Sequence, residues 1–176
     1  MAYVELHCHS AYSFLDGASQ PDELVAAALE QGHEALALTD HDSVSGSMEH
    51  AEAAKALGLR AIHGAEVTVV DPPDAPARHL TLLVRDQQGW RNLCRLLTRA
   101  HAHTRDGSSQ RLGEPGVALD DVEAHAQGLV CLSGCAMRGV RDEATARRLL
   151  GAFGRDAFRV ELQRPYARRD RARNRA

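Results

Sequence analysis

Two short stretches hold the side chains of this sequence best suited to chemistry. "ELHCHS" at residues 5–10 sets His7 and His9 two apart, just after the apolar start of "YVEL", and "LTDHDS" at residues 38–43 sets Asp40 and His41 after a second apolar run. In extended backbone, side chains two apart share a face. His7 and His9 therefore aim two imidazoles at one point, while Cys8 turns the other way as a small packing residue. Each motif also has a plainer reading. An H-x-H pair describes two exposed loop histidines equally well, and His41 between Asp40 and Asp42 describes a hydrogen-bonded cluster capping the next helix. Together with Cys135, which follows "LVCLS", their recurrence at successive strand ends favours a metal site.

The elements that must position these residues follow from the hydrophobic pattern. "YVEL", "EALALTD", "LRAIHGAEVTVV", "HLTLLVRD", "GLVCLSG" and "AFRVELQ" read as strands. Between them, a helix begins at a capping box of Ser19 and Asp22 with Pro21 in its first turn, and stops at Gly32. "SMEHAEAAKALG" gives a second helix ended by Gly58. Trp90, Leu93, Cys94, Leu96, Leu97 and Ala100 mark a third, and "DEATARRLLGAFG" a fourth. Residues 104–116 read as a mobile loop. This β-then-α order predicts a mostly parallel sheet flanked by helices, open or closed into a barrel, in which functional groups collect at the carboxyl ends of the strands.

A chain of 176 residues, 44% hydrophobic and 26% charged, can bury one real core, and its net charge of −3 gives no basic footprint spread over the fold. Lys55 is the sole lysine among 21 basic residues, which we read as coding bias. Four cysteines, Cys8, Cys94, Cys131 and Cys135, follow no signal peptide, and no apolar run approaches the ~20 residues of a membrane span. The expected setting is a reducing cytoplasm with free thiols or metal ligands and no membrane. The final "RPYARRDRARNRA" carries six arginines against one aspartate and reads as a solvated tail or helix start.

Other histidines offer less. His33, His50, His101, His103 and His125 read as solvent-facing, and His63 as a hydrogen-bonded structural residue. Cys131 and Cys135 form C-x₃-C without a second pair, which argues against a zinc finger. Neither a P-loop nor a G-x-S-x-G elbow occurs.

"ELHCHSAYSFLDGAS", "ALALTDHDSVSG", "GAEVTV", "HLTLLVRD" and "CLSGC" together resemble the PHP (polymerase and histidinol phosphatase) domain. They are most similar to the amino-terminal PHP domain of bacterial C-family DNA polymerase III α subunits, in the error-prone branch. The resemblance covers residues 3 to about 164. It implies a distorted seven-stranded (β/α) barrel of TIM-like form with up to three metal ions on its rim. The metals implied are Zn²⁺ or Mn²⁺, with Fe a further option, since mixed nitrogen, carboxylate and thiolate donors disfavour Mg²⁺. Carried over by residue, the ligands are His7, His9, Asp16, His41, Glu66, His79 and Cys135, with Asp40 supporting the His41 imidazole through its other nitrogen. Asp16 and His79 rest on the resemblance alone.

The same resemblance implies phosphoester hydrolysis by water activated between ions ~3.5–4 Å apart, with a structural or vestigial centre as the alternative in a polymerase. The family's last motif, an Asp-x-His, does not occur before Ala176. The expectation is therefore a PHP domain over 1–164, incomplete at its carboxyl end, an Arg-rich 165–176, no polymerase palm, fingers or thumb, and fewer than three ions. The parent would be an error-prone DNA polymerase. Its partners would be the rest of the α chain, DNA through that parent, and other mutasome or replisome subunits. A stand-alone PHP phosphomonoesterase and an inactive metal-stabilised scaffold are the competing readings.

Overall fold

The structure, a computed structural model, describes residues 3–72, 75–104, 113–135 and 137–163. The described residues form five helices and five strands. In chain order these are α1 (Pro21–Glu30), β1 (Ala35–Leu38), α2 (Ser47–Leu57), β2 (Arg60–Val69), β3 (Arg78–Val84), α3 (Gln87–His101), α4 (Leu119–Ala124), β4 (Leu129–Leu132), α5 (Glu143–Phe153) and β5 (Phe158–Arg159). The strands lie in the order β1-β2-β3-β4-β5.

The sheet is mixed rather than mostly parallel. β1 and β2 are parallel, as are β4 and β5, but β3 runs antiparallel to both β2 and β4. The connection from β2 to β3 contains no helix among the described residues, and without a crossover the chain can return only in the opposite direction. β3 thus begins at the edge where β1, β2 and β4 end.

Local chemistry fixes the helices. The first cap lies one residue later than expected: Gln20 is the N-cap and Glu23 completes the box, with Pro21 at the first helical position. Asp86 caps α3 by accepting from Gly89 N at 2.9 Å, and Asp142 caps α5 by accepting from Thr145 N at 2.8 Å. Gly58 closes α2 in the left-handed conformation (φ 77°). The short α4 has no counterpart in the sequence reading. "YVEL" is reduced to an isolated parallel bridge between Glu5 and Leu36. Most of the expected mobile loop, the boundary at 164 and the Arg-rich segment lie outside the described residues.

The largest core joins Val67, Leu80, Leu82 and Leu129 of the sheet to Leu93, Leu96 and Leu97 of α3, Val122 of α4 and Leu149 of α5. A smaller one packs Val25 and Ala28 of α1 against Leu36, Ala54 and Leu59. Each fully buried leucine stabilises the fold by roughly 1.5–3 kcal/mol relative to an exposed one. These cores leave one sheet edge to polar residues.

Candidate metal centre

Four segments meet at that edge. The first is the extended run 5–9, which lies along β1: Ala37 N donates to Glu5 O, Thr39 N to Cys8 O, and Cys8 N to Thr39 Oγ1. Alternation along it sends His7 and His9 to the edge, with their rings 5.1 Å apart. Cys8 points back against the α1–α2 core. Burial pushes its thiol up to about 11, so it stays protonated and inert.

The second segment, 10–17, is folded around the buried Asp40. That carboxylate accepts from Ser10 N (2.7 Å), Ser10 Oγ (2.8 Å) and Ser13 Oγ (2.7 Å). Asp40 therefore holds the loop, and the expectation that it supports the His41 imidazole is corrected: Ser10 and Ser13 occupy its oxygens. Gly17 crosses so close to Ser10 that an added Cβ would lie 2.0 Å from its carbonyl oxygen. The loop delivers Asp16, whose Oδ2 lies 2.6 Å from His9 Nδ1 and 3.0 Å from His41 Nε2.

The third segment follows β1. His41 forms an isolated parallel bridge with Glu66 of β2. Asp42 adopts φ 46°, and its carboxylate accepts from Thr68 N (2.8 Å) and Thr68 Oγ1 (2.7 Å). It does not cap α2, whose N-cap is Gly46. The fourth segment follows β4. His79 N donates to Arg138 O, and Gly134 (φ 84°) lies so near His79 O that a Cβ would come within 1.9 Å. This stitching sets Cys135 beside His79, with Arg138 N donating to its sulfur at 3.2 Å.

Glu66, 1% exposed, is the hub. Its Oε1 lies 3.3 Å from His7 Nε2 and 3.3 Å from His79 Nδ1. Its Oε2 lies 3.3 Å from His9 Nε2 and 3.0 Å from His41 Nδ1. Burial opposes ionisation of this carboxylate, yet the four imidazoles overwhelm it and hold its pKa far below the usual carboxylate range. Burial likewise opposes charge on His7, but Glu161 and Glu66 raise it to about 10. His79 rises to about 9 against burial, through Cys135 and Glu66. Glu66 raises His41. Cys135 is lowered, against burial, by His79 and by the Arg138 and Met137 amides, which favours a thiolate.

The donor set fits a divalent transition metal. Three overlapping groups, His7–His9–Glu66, His9–Asp16–His41 and His41–Glu66–His79, each bring their ligand atoms within 4.8 Å of one another. His9 Nε2 and Glu66 Oε1 are buried without a hydrogen-bond partner, a cost that a shared cation would remove. An open groove of about 1020 Å³ reaches the cluster, with Asp16, His41, Glu66, His79 and Cys135 on its wall. His7 lies beneath it, 7% exposed.

The pattern of the PHP domain, as a family, matches residues 5–165. The chain belongs to the PHP domain family. This PHP domain is 42% identical over 176 residues to an error-prone DNA polymerase of Cutibacterium acnes, a match covering 91% of this chain and 15% of the relative. It is 46% identical over 160 residues to an error-prone DNA polymerase of Anaeromyxobacter sp. (strain K), covering 88% and 14%. The chain thus spans about one seventh of the length of these relatives. Among solved structures, it superposes on a proposed metal-dependent phosphoesterase from Bifidobacterium adolescentis with a TM-score of 0.71, at 18% identity, covering 98% of this chain and 82% of that one. An amidohydrolase from Chromobacterium violaceum gives 0.64 at 20% identity, covering 92% and 77%. Both share the PHP-type, TIM-barrel-like α/β fold. No helix among the described residues is long and apolar enough to cross a membrane.

All seven residues singled out in the sequence lie in or around this PHP domain's groove. Glu161 was not among them, although its Oε1 lies 2.8 Å from His7 Nδ1. Of the histidines read as solvent-facing, His101 and His103 are exposed, His33 and His125 are half-buried, and His50 is fully buried, its Nε2 3.2 Å from Leu36 O. His63 is held by ring packing, between His50 (5.7 Å) and Trp90 (5.9 Å), and its Nδ1 has no hydrogen-bond partner.

Proposed function

We propose that this PHP domain is a module of an error-prone DNA polymerase, extending over residues 1–164, and that its cradle holds divalent transition-metal ions for hydrolysis of a phosphate ester. The ligands are His7, His9, Asp16, His41, Glu66, His79 and Cys135. Nitrogen, carboxylate and thiolate donors in one set suit Zn²⁺ or Mn²⁺. The observation that carries this reading is the buried Glu66, which offers each of its two oxygens to a different pair of imidazoles.

Bound ions would supply Lewis acidity and a strong water-derived nucleophile at neutral pH. The chain's own residues prepare that chemistry. Glu66 belongs to two of the three donor groups and would hold an ion in either of them. Asp16, 54% exposed at the mouth, is the ligand nearest to arriving substrate. Arg138 lines the groove and brings a guanidinium suited to phosphate oxygens. Loop 10–17, anchored on Asp40, fixes the distance between Asp16 and the histidines.

The polymerase setting rests on the 42–46% identity to error-prone polymerases. In that setting the rest of the α chain would flank the domain, DNA would reach it through that protein, and other mutasome or replisome subunits would bind alongside in the cytoplasm.

The test is elemental analysis of the purified chain, followed by turnover of bis(p-nitrophenyl) phosphate and of a 3′-labelled single strand with added Zn²⁺ or Mn²⁺. Metal retention with turnover that is lost in His9→Ala supports the proposal. Metal retained without turnover assigns the centre a structural role, and absence of retained metal overturns the reading.

A further inference from the structure

No motif in the sequence singles out Glu161, yet the fold fixes it against the cradle. Its N–H donates to Ser133 Oγ at 2.9 Å, and Ser133 N donates to Arg159 O at 2.9 Å. The flanking Val160 and Leu162 are 71% and 69% exposed, whereas the Glu161 side chain is 12% exposed. Two apolar side chains thus face outward and the acid between them faces inward. Packing alone would select the reverse order, so the inward acid calls for a polar partner.

That partner is His7, 154 positions earlier, with Nδ1 at 2.8 Å from Glu161 Oε1. Gln163 Nε2 donates to the same oxygen at 2.6 Å. On the far side of the ring, His7 Nε2 faces Glu66 Oε1 at 3.3 Å. The carboxylate, the imidazole and the donor group are therefore arranged in series.

We propose that Glu161 is a positioning residue for the metal centre: it accepts the His7 Nδ1–H bond and so commits Nε2 to the ion shared with His9 and Glu66. The inference rests on the metal-holding function proposed above. A neutral imidazole carries one N–H, and the nitrogen that keeps it cannot bind a cation. Thr81 Oγ1 also lies 3.2 Å from Nδ1, but a hydroxyl can donate as well as accept and so leaves the tautomer open. An ionised carboxylate only accepts, and it also strengthens the ring as a donor.

Two measurements test this. Zinc affinity, read by competition with a chromophoric chelator, is compared among the wild-type chain, Glu161→Gln, Glu161→Ala, His7→Ala and the His7→Ala/Glu161→Ala pair. The isosteric Gln keeps the hydrogen bond but loses the charge. The expected losses are on the order of 10-fold for Gln and up to 100-fold for Ala, with the paired variant no weaker than His7→Ala alone. Long-range ¹H–¹⁵N spectra of the zinc-loaded wild-type chain need no variant, and should show His7 protonated at Nδ1 and aprotic at Nε2. Equal affinities, additive losses in the pair, or zinc on His7 Nδ1 each overturn the positioning role while leaving the metal centre intact. A wild-type chain that retains no zinc overturns the proposed function and this role with it.

Discussion

His41 and Glu66 are joined twice: their main chains form an isolated parallel bridge, and His41 Nδ1 lies 3.0 Å from Glu66 Oε2. Backbone pairing thus sets the separation of two side chains that both point into the groove. Glu66 N donates to Asp40 O at 3.1 Å, and Asp42 N to Glu66 O at 2.8 Å. The hub carboxylate and the ligand-bearing turn after β1 are consequently one rigid unit.

Replacing Glu66 with Gln should remove both the metal site and part of the fold's stability. The volume is kept, but three raised imidazoles lose their common counter-ion. Breaking a buried pair in this way costs about 3–5 kcal/mol, with the lower end expected here because imidazoles can shed their protons. Urea unfolding in the presence of a chelator measures the loss of stability, and elemental analysis the loss of metal. A loss below about 1 kcal/mol would show that the metal-free cluster does not depend on this charge.

Metal binding should release protons and tighten as pH rises. His7 and His79, raised to about 10 and about 9, are protonated at neutral pH in the metal-free chain. Their folded pKa values exceed the unfolded ones, so their contribution to stability is full below about pH 6.5 and disappears as pH climbs through 9 to 10. A cation must displace those protons. Calorimetric titration at pH 7.5 in two buffers of different ionisation enthalpy should report about one proton or more per ion. Identical heats in both buffers would contradict the assignment.

Gly17→Ala should weaken metal binding without unfolding the chain. The added Cβ would lie 2.0 Å from Ser10 O, so the loop that presents Asp16 must move. Asp16 Oδ2 would then lose its contacts at 2.6 Å with His9 and 3.0 Å with His41. Zinc affinity should fall on the order of 10–100-fold, while far-ultraviolet circular dichroism stays unchanged. Asp40→Asn, which withdraws the charge that gathers Ser10 and Ser13, should act in the same direction.

The pattern of strands and helices, and the aim of His7, His9 and His41, were legible because alternation along a strand is a local property. His79 was not, since the rule of carboxyl-end sites assumes parallel strands. β3 runs backwards, which puts its first residues at the shared edge, with His79 opposite Thr68. Asp40 was read as a partner of the neighbouring imidazole on the strength of the family resemblance, whereas the turn points its carboxylate at serines 27 and 30 positions away. Glu161 lies 154 positions from His7, and only tertiary structure joins them. The sequence signal pointed the other way: on a half-buried strand Val160 and Leu162 would face inward and the acid between them outward, the reverse of what the structure shows.

The pair of fully buried His50 and half-buried His63 should make the chain less stable in mild acid. Burial lowers the pKa of both, with mutual repulsion adding to the effect at His50, and Leu36 O and Asp40 opposing it there. Their folded values lie below 6.5, so the unfolded chain takes up more protons as pH falls. The stability they contribute is present above that value and is lost below it. His7, His41 and His79 are shifted the other way, so the pair is isolated by comparison with a variant. His50→Gln keeps a donor for Leu36 O and removes one titrating ring. Urea unfolding of the chelator-treated chain from pH 7.5 to 5 should show wild type losing stability more steeply than His50→Gln. Parallel slopes would mean that His50 charges in the folded state as readily as in the unfolded one, against the complete burial of its side chain between α2 and β1.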